Sequence, residues 1–363
     1  MSLSEVTSRI HASLVKKILF NTLQFLVFLS IGAIILYLVF RQQNAAFLED
    51  CSLRGIPHSQ CSLMDKLITD FRNARFGWIG LVLAAFVMSN YNRTMKWLIL
   101  VRPLGYKPRF INGFLAILVG YFANLGLPRM GEVVRAGLFS KYEHIPVEKV
   151  MGTIVVDRVV DILCLALAFG LALLFEYDKL WGYAVENANR GGSISNHWWW
   201  ILAGLLVAAV SAFWIFRKKM APTALYWKVV KIFAGFWEGI LSVRRLEHPG
   251  LFIFHSLSIW FLYFLMTWLG FQAFEPTAHL GLQAALTVFA FGTLGMVIPS
   301  PGGMGTFHAL VIAALTLFYG IRGDDAFSVA NIIFFSVSIG FNIVLGLLSL
   351  ILLPLVNRPA ANV

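Results

Sequence analysis

The chain has 363 residues, of which 59% are hydrophobic and only 13% charged, whereas a soluble domain carries roughly 25% charged residues. This excludes a soluble globular or disordered protein and leaves an integral membrane protein of many helical spans. It is read as one membrane domain over 1–363, because no polar stretch is long enough for a separate ~100-residue domain. The net charge of +11 does not indicate nucleic acid: most basic residues flank apolar runs, where they set topology, and no nucleic-acid-binding motif is present.

In chain order, the first apolar run, 18–40, is longer than the core of a signal peptide and is expected as a retained span. The polar segment 41–77 is expected as an extracytoplasmic loop; it holds Cys51 and Cys61, for which an oxidising compartment would favour a disulfide. Further full spans are expected at about 76–95, 149–175, 198–216, 251–274 and 327–356. The stretch Asn90–Trp97 is read as the headgroup-level end of the second span, and Trp198–Trp200 as an outer aromatic belt. Segment 221–246 mixes Lys and Arg with Trp227, Phe233, Phe236 and Trp237 and reads as a cytoplasmic interfacial amphipathic helix. Asp324 and Asp325, after Gly323, read as an exposed turn.

Two apolar stretches, about 110–142 and 280–320, are broken by Pro and Gly. The first reads Asn124-Leu-Gly-Leu-Pro-Arg-Met-Gly-Glu132 followed by Arg135; the second reads Pro299-Ser-Pro-Gly-Gly-Met-Gly305 followed by His308. Broken backbone survives in a membrane only where protein or water satisfies its freed amide and carbonyl groups. Lys and Arg place the N-terminus, Arg93–Arg109 and Arg217–Arg245 on the cytoplasmic side. Each broken segment must then begin and end on one side, so both are hairpins, entering from opposite faces. The fold class is an all-α polytopic bundle of about six spans plus two such hairpins, the pattern of an inverted repeat. Both termini are expected in the cytoplasm.

Charges inside apolar sequence supply the candidate site. Asp157 and Asp161 are four apart and share a helix face. Arg158 is in reach of Asp161 at i,i+3, or of Glu132 across the bundle. Glu132 and Arg135 are themselves three apart and can pair. Arg129, at the first break, suits bidentate phosphate recognition. Pro128 and Gly131 shape that break. In the second, Pro299, Pro301, Gly302, Gly303 and Gly305 offer bare backbone, the amides of Gly302 to Thr306 are placed to form an anion nest, and His308, an imidazole whose ordinary pKa is near neutral, would suit proton coupling. A purely structural ion cluster and a site for a lipid headgroup both remain open for these charges. No metal-ligand spacing and no nucleotide-binding loop appear, so no metal or cofactor is expected.

Leu127-Pro-Arg-Met-Gly-Glu-Val-Val-Arg135, Val155-Val-Asp-Arg-Val-Val-Asp161 and Ile298-Pro-Ser-Pro-Gly-Gly-Met-Gly305 together resemble the transmembrane domain of lysylphosphatidylglycerol synthases, the flippase-like UPF0104 membrane proteins. The likeness runs from about Trp78 to Leu353. It implies a bacterial inner-membrane protein that moves a phospholipid, an aminoacyl-lipid or a polyprenyl-phosphate between leaflets. It does not bring the aminoacyl-transferase activity of the soluble domain that follows in bifunctional members, so the chain is not expected to be an enzyme. Two alternatives stand beside this: a membrane enzyme using Glu132, Asp157 and His308 as acid–base groups, and a scaffold of an envelope-synthesis complex. The sequence is silent on oligomeric state.

Overall fold

The computed structural model of the protein describes residues 61–126, 130–178, 246–298 and 303–357, with parts of 30–52. Most of the expected span 18–40, the span 198–216 with its tryptophans, and all but the last residue of segment 221–246 lie outside the described residues. So do Pro128, Arg129, Pro299, Pro301 and Gly302. Every regular element among the described residues is helical.

Helix α1 (Leu63–Asn73) starts at Ser62, whose hydroxyl accepts from the Asp65 amide at 3.2 Å, an N-cap with an acid in the first turn. It falls inside the segment 41–77, so that segment is not the simple loop expected. Its polar and apolar faces are strongly separated: Leu63, Leu67 and Phe71 face the core. The Cys51–Cys61 disulfide forms just before it. A bend of 77° leads into α2 (Phe76–Val101). Then follow α3 (Phe110–Gly126), α4 (Met130–Glu143), α5 (Val147–Phe175) and α6 (Pro249–Gln272). Pro249 opens α6 at a position where its missing N–H is not needed. Helices α7 (Leu282–Val297) and α8 (Thr306–Tyr319) come next, and Gly320 ends α8 in the left-handed region. A last continuous run joins α9 (Gly323–Ile333), a π-helical stretch (Phe334–Phe341) and α10 (Asn342–Val356).

Among the described residues, α5, α6 and the run Gly323–Val356 can each cross a membrane by length and composition, and α1 with α2 makes a fourth if that bent pair is one span. The outer faces of these helices carry Val155, Ile162, Leu174, Val344 and Ile351 exposed, as a lipid-facing surface requires. The expected span at 76–95 is longer than expected: α2 runs to Val101.

The helices pair antiparallel. Along α2 and α6, Trp78 meets Trp268 near one end, with ring centroids 6.3 Å apart, while Lys96 lies over Phe252 near the other. Asn112 at the start of α3 accepts from Asn357 after the end of α10, at 2.7 Å. Gln283 at the start of α7 donates to the Phe175 carbonyl at the end of α5, at 2.7 Å. Exchanging α2 with α6, α3 with α7, α4 with α8 and α5 with the run α9–α10 maps the main helix contacts onto one another: α3 packs on α10 as α7 packs on α5.

The helices α3–α4 and α7–α8 are the two expected hairpins, and they start from opposite ends of the bundle. They share no extensive interface among the described residues; α5 touches both. At the end holding α1, Lys66 binds Asp70 and Asp325, each at 2.7 Å, and the Ser328 hydroxyl donates to Asp70. Asp324 is buried and paired with Arg322, so this pair of aspartates is an ion cluster fastening α1 to α9 and not the exposed turn expected.

Each hairpin closes on glycine. Gly120 and Gly131 face one another across α3 and α4; a Cβ on Gly120 would lie 2.9 Å from the Gly131 carbonyl oxygen, and one on Gly131 would collide with the Gly120 carbonyl. The Gly131 amide donates to Asn124 Oδ1 at 2.8 Å, which caps α4. In the second hairpin the Thr306 hydroxyl donates to the Gly295 carbonyl at 2.7 Å. Gly131→Ala should therefore spread α3 from α4 and lower stability by about 1–3 kcal/mol. Gly137→Ala, on an open face of α4, should be neutral or stabilising by up to ~1 kcal/mol. Thermal unfolding of the two variants in detergent measures the difference, and equal melting temperatures would contradict the close glycine contact.

Candidate functional site

Arg93 and Lys96 are three residues apart on one face of α2. Both are buried, at 4% and 0% exposure. Across from them, α5 turns Asp157 and Asp161 inward. Lys96 Nζ reaches Asp157 Oδ1 at 2.7 Å and Asp161 Oδ1 at 2.9 Å. Arg93 Nη1 donates to Asp161 Oδ2 at 3.1 Å and stands 3.5 Å from Asp157 Oδ2. Its other terminal nitrogen donates to the Tyr263 hydroxyl at 3.2 Å, and Tyr263 touches the Tyr121 hydroxyl at 3.1 Å.

Arg135 on α4 enters the same cluster from the hairpin. Its guanidinium stacks 4.5 Å over Trp97, and Nη2 approaches Asp157 no closer than 3.6 Å, a distance too long for a hydrogen bond. Buried Nε and Nη2 of Arg135 make no hydrogen bond among the described residues. Arg158 Nε binds Glu132 at 2.7 Å, and its Nη1 lies 3.5 Å from Asp161.

The cluster therefore joins four cations to three carboxylates and retains one positive charge. By helix rise, Arg93 lies ~12 Å before the end of α2 and Asp157 ~15 Å after the start of α5, so the charges sit at hydrocarbon depth. One charged residue there costs ~2.5–3.5 kcal/mol on insertion scales, which only mutual pairing offsets. The pairing is also what binds the hairpin: Arg135 and Glu132 tie α4 to α5.

A narrow cleft runs into the cluster, lined by Gly120, Tyr121, Asn124 and Gly131 of the hairpin together with Arg93, Glu132, Arg135 and Arg158. It has room for roughly one water molecule, too little for a lipid headgroup.

Of the residues expected to form the site, the structure brings together Glu132, Arg135, Asp157, Arg158 and Asp161, with Gly131 at the wall of the cleft. Glu132 pairs with Arg158 and not with Arg135. His308 is elsewhere: fully buried in the core of the second hairpin, its ring 4.7 Å from that of Phe334 and beside Phe307 and Phe327. Gly303 and Gly305 both have φ of 82°, a backbone that favours glycine, and a Cβ on Gly303 would run into Met296; neither lines the cleft.

Arg93 and Lys96 were missed as site residues and assigned to a cytoplasmic segment. They lie inside α2 and cannot serve as topology markers. Asn90, Asn92 and Trp97 are buried with them inside the protein. The signal was present: the apolar run continues through Trp97–Val101, so the helix does not end at 95.

Residues 62–356 match the family described as the lysylphosphatidylglycerol synthase TM region, and the chain belongs to that family. It is also similar to the UPF0104 membrane protein MJ1595 of Methanocaldococcus jannaschii, 34% identical over 101 residues, which are 27% of this chain. The match spans 30% of that protein's length. No solved structure matches the chain.

Lys96→Met should cost about 3–5 kcal/mol, because it takes from two buried carboxylates their shortest ionic contact, while Lys141→Met, at an exposed position, should stay within ~0.5 kcal/mol. Adding Asp161→Asn to Lys96→Met should recover part of the loss, since contacting residues are non-additive. Melting temperatures in detergent report all three; a strictly additive double variant would show that the pair is not coupled.

Proposed function

We propose that this member of the lysylphosphatidylglycerol synthase TM region family moves an anionic or modified lipid between leaflets, with the charge cluster as the transient headgroup site. The observation that carries this reading is Arg135: a guanidinium, buried and lying 4.5 Å over the Trp97 ring, with hydrogen-bonding capacity left over among the described residues in a cluster that has a cation in excess. A lipid phosphate supplies both the missing acceptors and the missing charge, and guanidinium groups bind phosphate bidentately.

The headgroup then crosses in protein-lined polar space while the tails remain in lipid, avoiding the desolvation of a bare phosphate. Because the cleft is too narrow for a headgroup, passage requires α3–α4 to move against α5. The exchangeable helix contacts support two inverted halves, an architecture that opens alternately to each side by rocking one part on another. The disulfide supports placing the α1 end outside, and Arg102, Lys107 and Arg109 support placing the opposite end in the cytoplasm. This orients the protein in a cytoplasmic membrane.

Purified protein in phosphatidylglycerol/phosphatidylcholine liposomes should accelerate leaflet exchange of a labelled anionic lipid. Arg135→Gln should slow it about tenfold, one charge-assisted hydrogen bond in strength, and slow a zwitterionic lipid less. Arg135→Lys should retain an intermediate rate. Running the assay with and without a pH gradient reads any coupling to protons. Folded protein that accelerates no lipid, or an Arg135→Gln variant equally active on both lipids, would overturn the assignment.

A further inference from the structure

The charges of the cluster are not equally enclosed. Arg93, Lys96, Arg135, Asp157 and Asp161 have side chains at most 10% exposed, whereas Arg158 is 43% and Glu132 29% exposed. Arg158 stands on the outer face of α5 between Val155 and Ile162, three residues before it and four after, both strongly exposed. Val133, next to Glu132 on α4, is exposed too. An ion pair is thus set into an apolar, lipid-facing surface, where lone charges are rare.

The pair also bridges a seam. Glu132 belongs to α4 and Arg158 to α5, and the cleft leads inward from both to Arg93 and Arg135. The outer pair is neutral in sum, so the excess cation of the cluster lies behind it, among Arg93, Lys96 and Arg135. Arg158 already spans the two zones, holding Glu132 at 2.7 Å while its Nη1 stands 3.5 Å from Asp161.

We propose that the Glu132–Arg158 pair is a lateral portal, at which the phosphate of a bilayer lipid displaces Glu132 from Arg158 and is drawn between α4 and α5 toward the buried cations. This deepens the translocator reading and rests on it. Glu132 acts as the competing anion that keeps the seam shut against zwitterionic and neutral lipids, whose headgroups offer no net charge to exchange for it. Arg158 is the first group to contact the phosphate, and the tails never leave the hydrocarbon.

The full chain, carrying photoreactive benzoylphenylalanine at Val155 or, as a control, at Val344 on the lipid-facing side of α10, tests this in vesicles of equal phosphatidylglycerol and phosphatidylcholine. Cross-linking at Val155 should favour phosphatidylglycerol about tenfold, the factor for one charge-assisted hydrogen bond, and cross-linking at Val344 should show no preference. R158Q should bring the Val155 ratio down to the control value, R158K should keep most of it, and E132Q, by freeing Arg158, should raise it. Equal ratios at the two positions, or a Val155 ratio indifferent to R158Q, would overturn the portal. Cross-linking reads headgroup contact and not passage. Leaflet exchange that fails beside an intact ratio therefore removes the translocator alone, and exchange that persists without the ratio removes the portal alone.

Discussion

The bond of Lys96 to Asp157 and Asp161 is the constraint around which this bundle is arranged. An ammonium with no exposed surface can exist at hydrocarbon depth only if carboxylates meet it there, and carboxylates there need cations in return. That mutual requirement fixes the rotation of α2 and α5 about their axes, since turning either helix would move a charge into lipid. It recruits α4 through Arg135 and Glu132, and it leaves Tyr121 and Tyr263 as the polar contacts that link the cluster to α3 and α6.

The two halves share helix order and pairing but not interior chemistry. Where the first half holds charges, the second holds Phe307, Phe327, Phe334 and the buried ring of His308. An apolar interior keeps its shape by close fit, whereas the polar interior keeps its shape by specific pairs, which can be exchanged for other pairs. The exchangeable pairs of the bundle are thus concentrated in the first half, and the close-packed aromatic rings in the second. The ion cluster of Lys66, Asp70 and Asp325 and the disulfide before α1 brace the second half at one end.

Close helix approach and exchangeable charge meet at the first hairpin. Gly120 and Gly131 bring α3 and α4 together so tightly that no side chain separates them; the cleft therefore opens toward α5, not through the hairpin itself. The seam against α5 is held by the ion pairs of Glu132 and Arg135 with Arg158 and Asp157.

Much of this was legible in the chain of residues. Apolar length dictates membrane helices, because unsatisfied backbone is intolerable in hydrocarbon. Pro and Gly at two corresponding places dictate two hairpins, and the i,i+4 spacing of Asp157 and Asp161 puts both on one face. The motif around Glu132 and Arg135 pointed to the family. What the sequence could not supply was partnership. Arg93 and Lys96 look like any basic residues near a span end, and only the antiparallel docking of α2 against α5 and α6 reveals them as buried counterions. Glu132 has Arg135 nearer in sequence, yet takes Arg158, because Arg135 is held against Trp97. His308 shares the motif pattern of the first hairpin but is enclosed by aromatic rings from α8, α9 and the π-helical stretch. Local spacing determines which side chains share a helix face; which faces meet, and so which charges pair, is decided by contacts between residues tens to hundreds of positions apart.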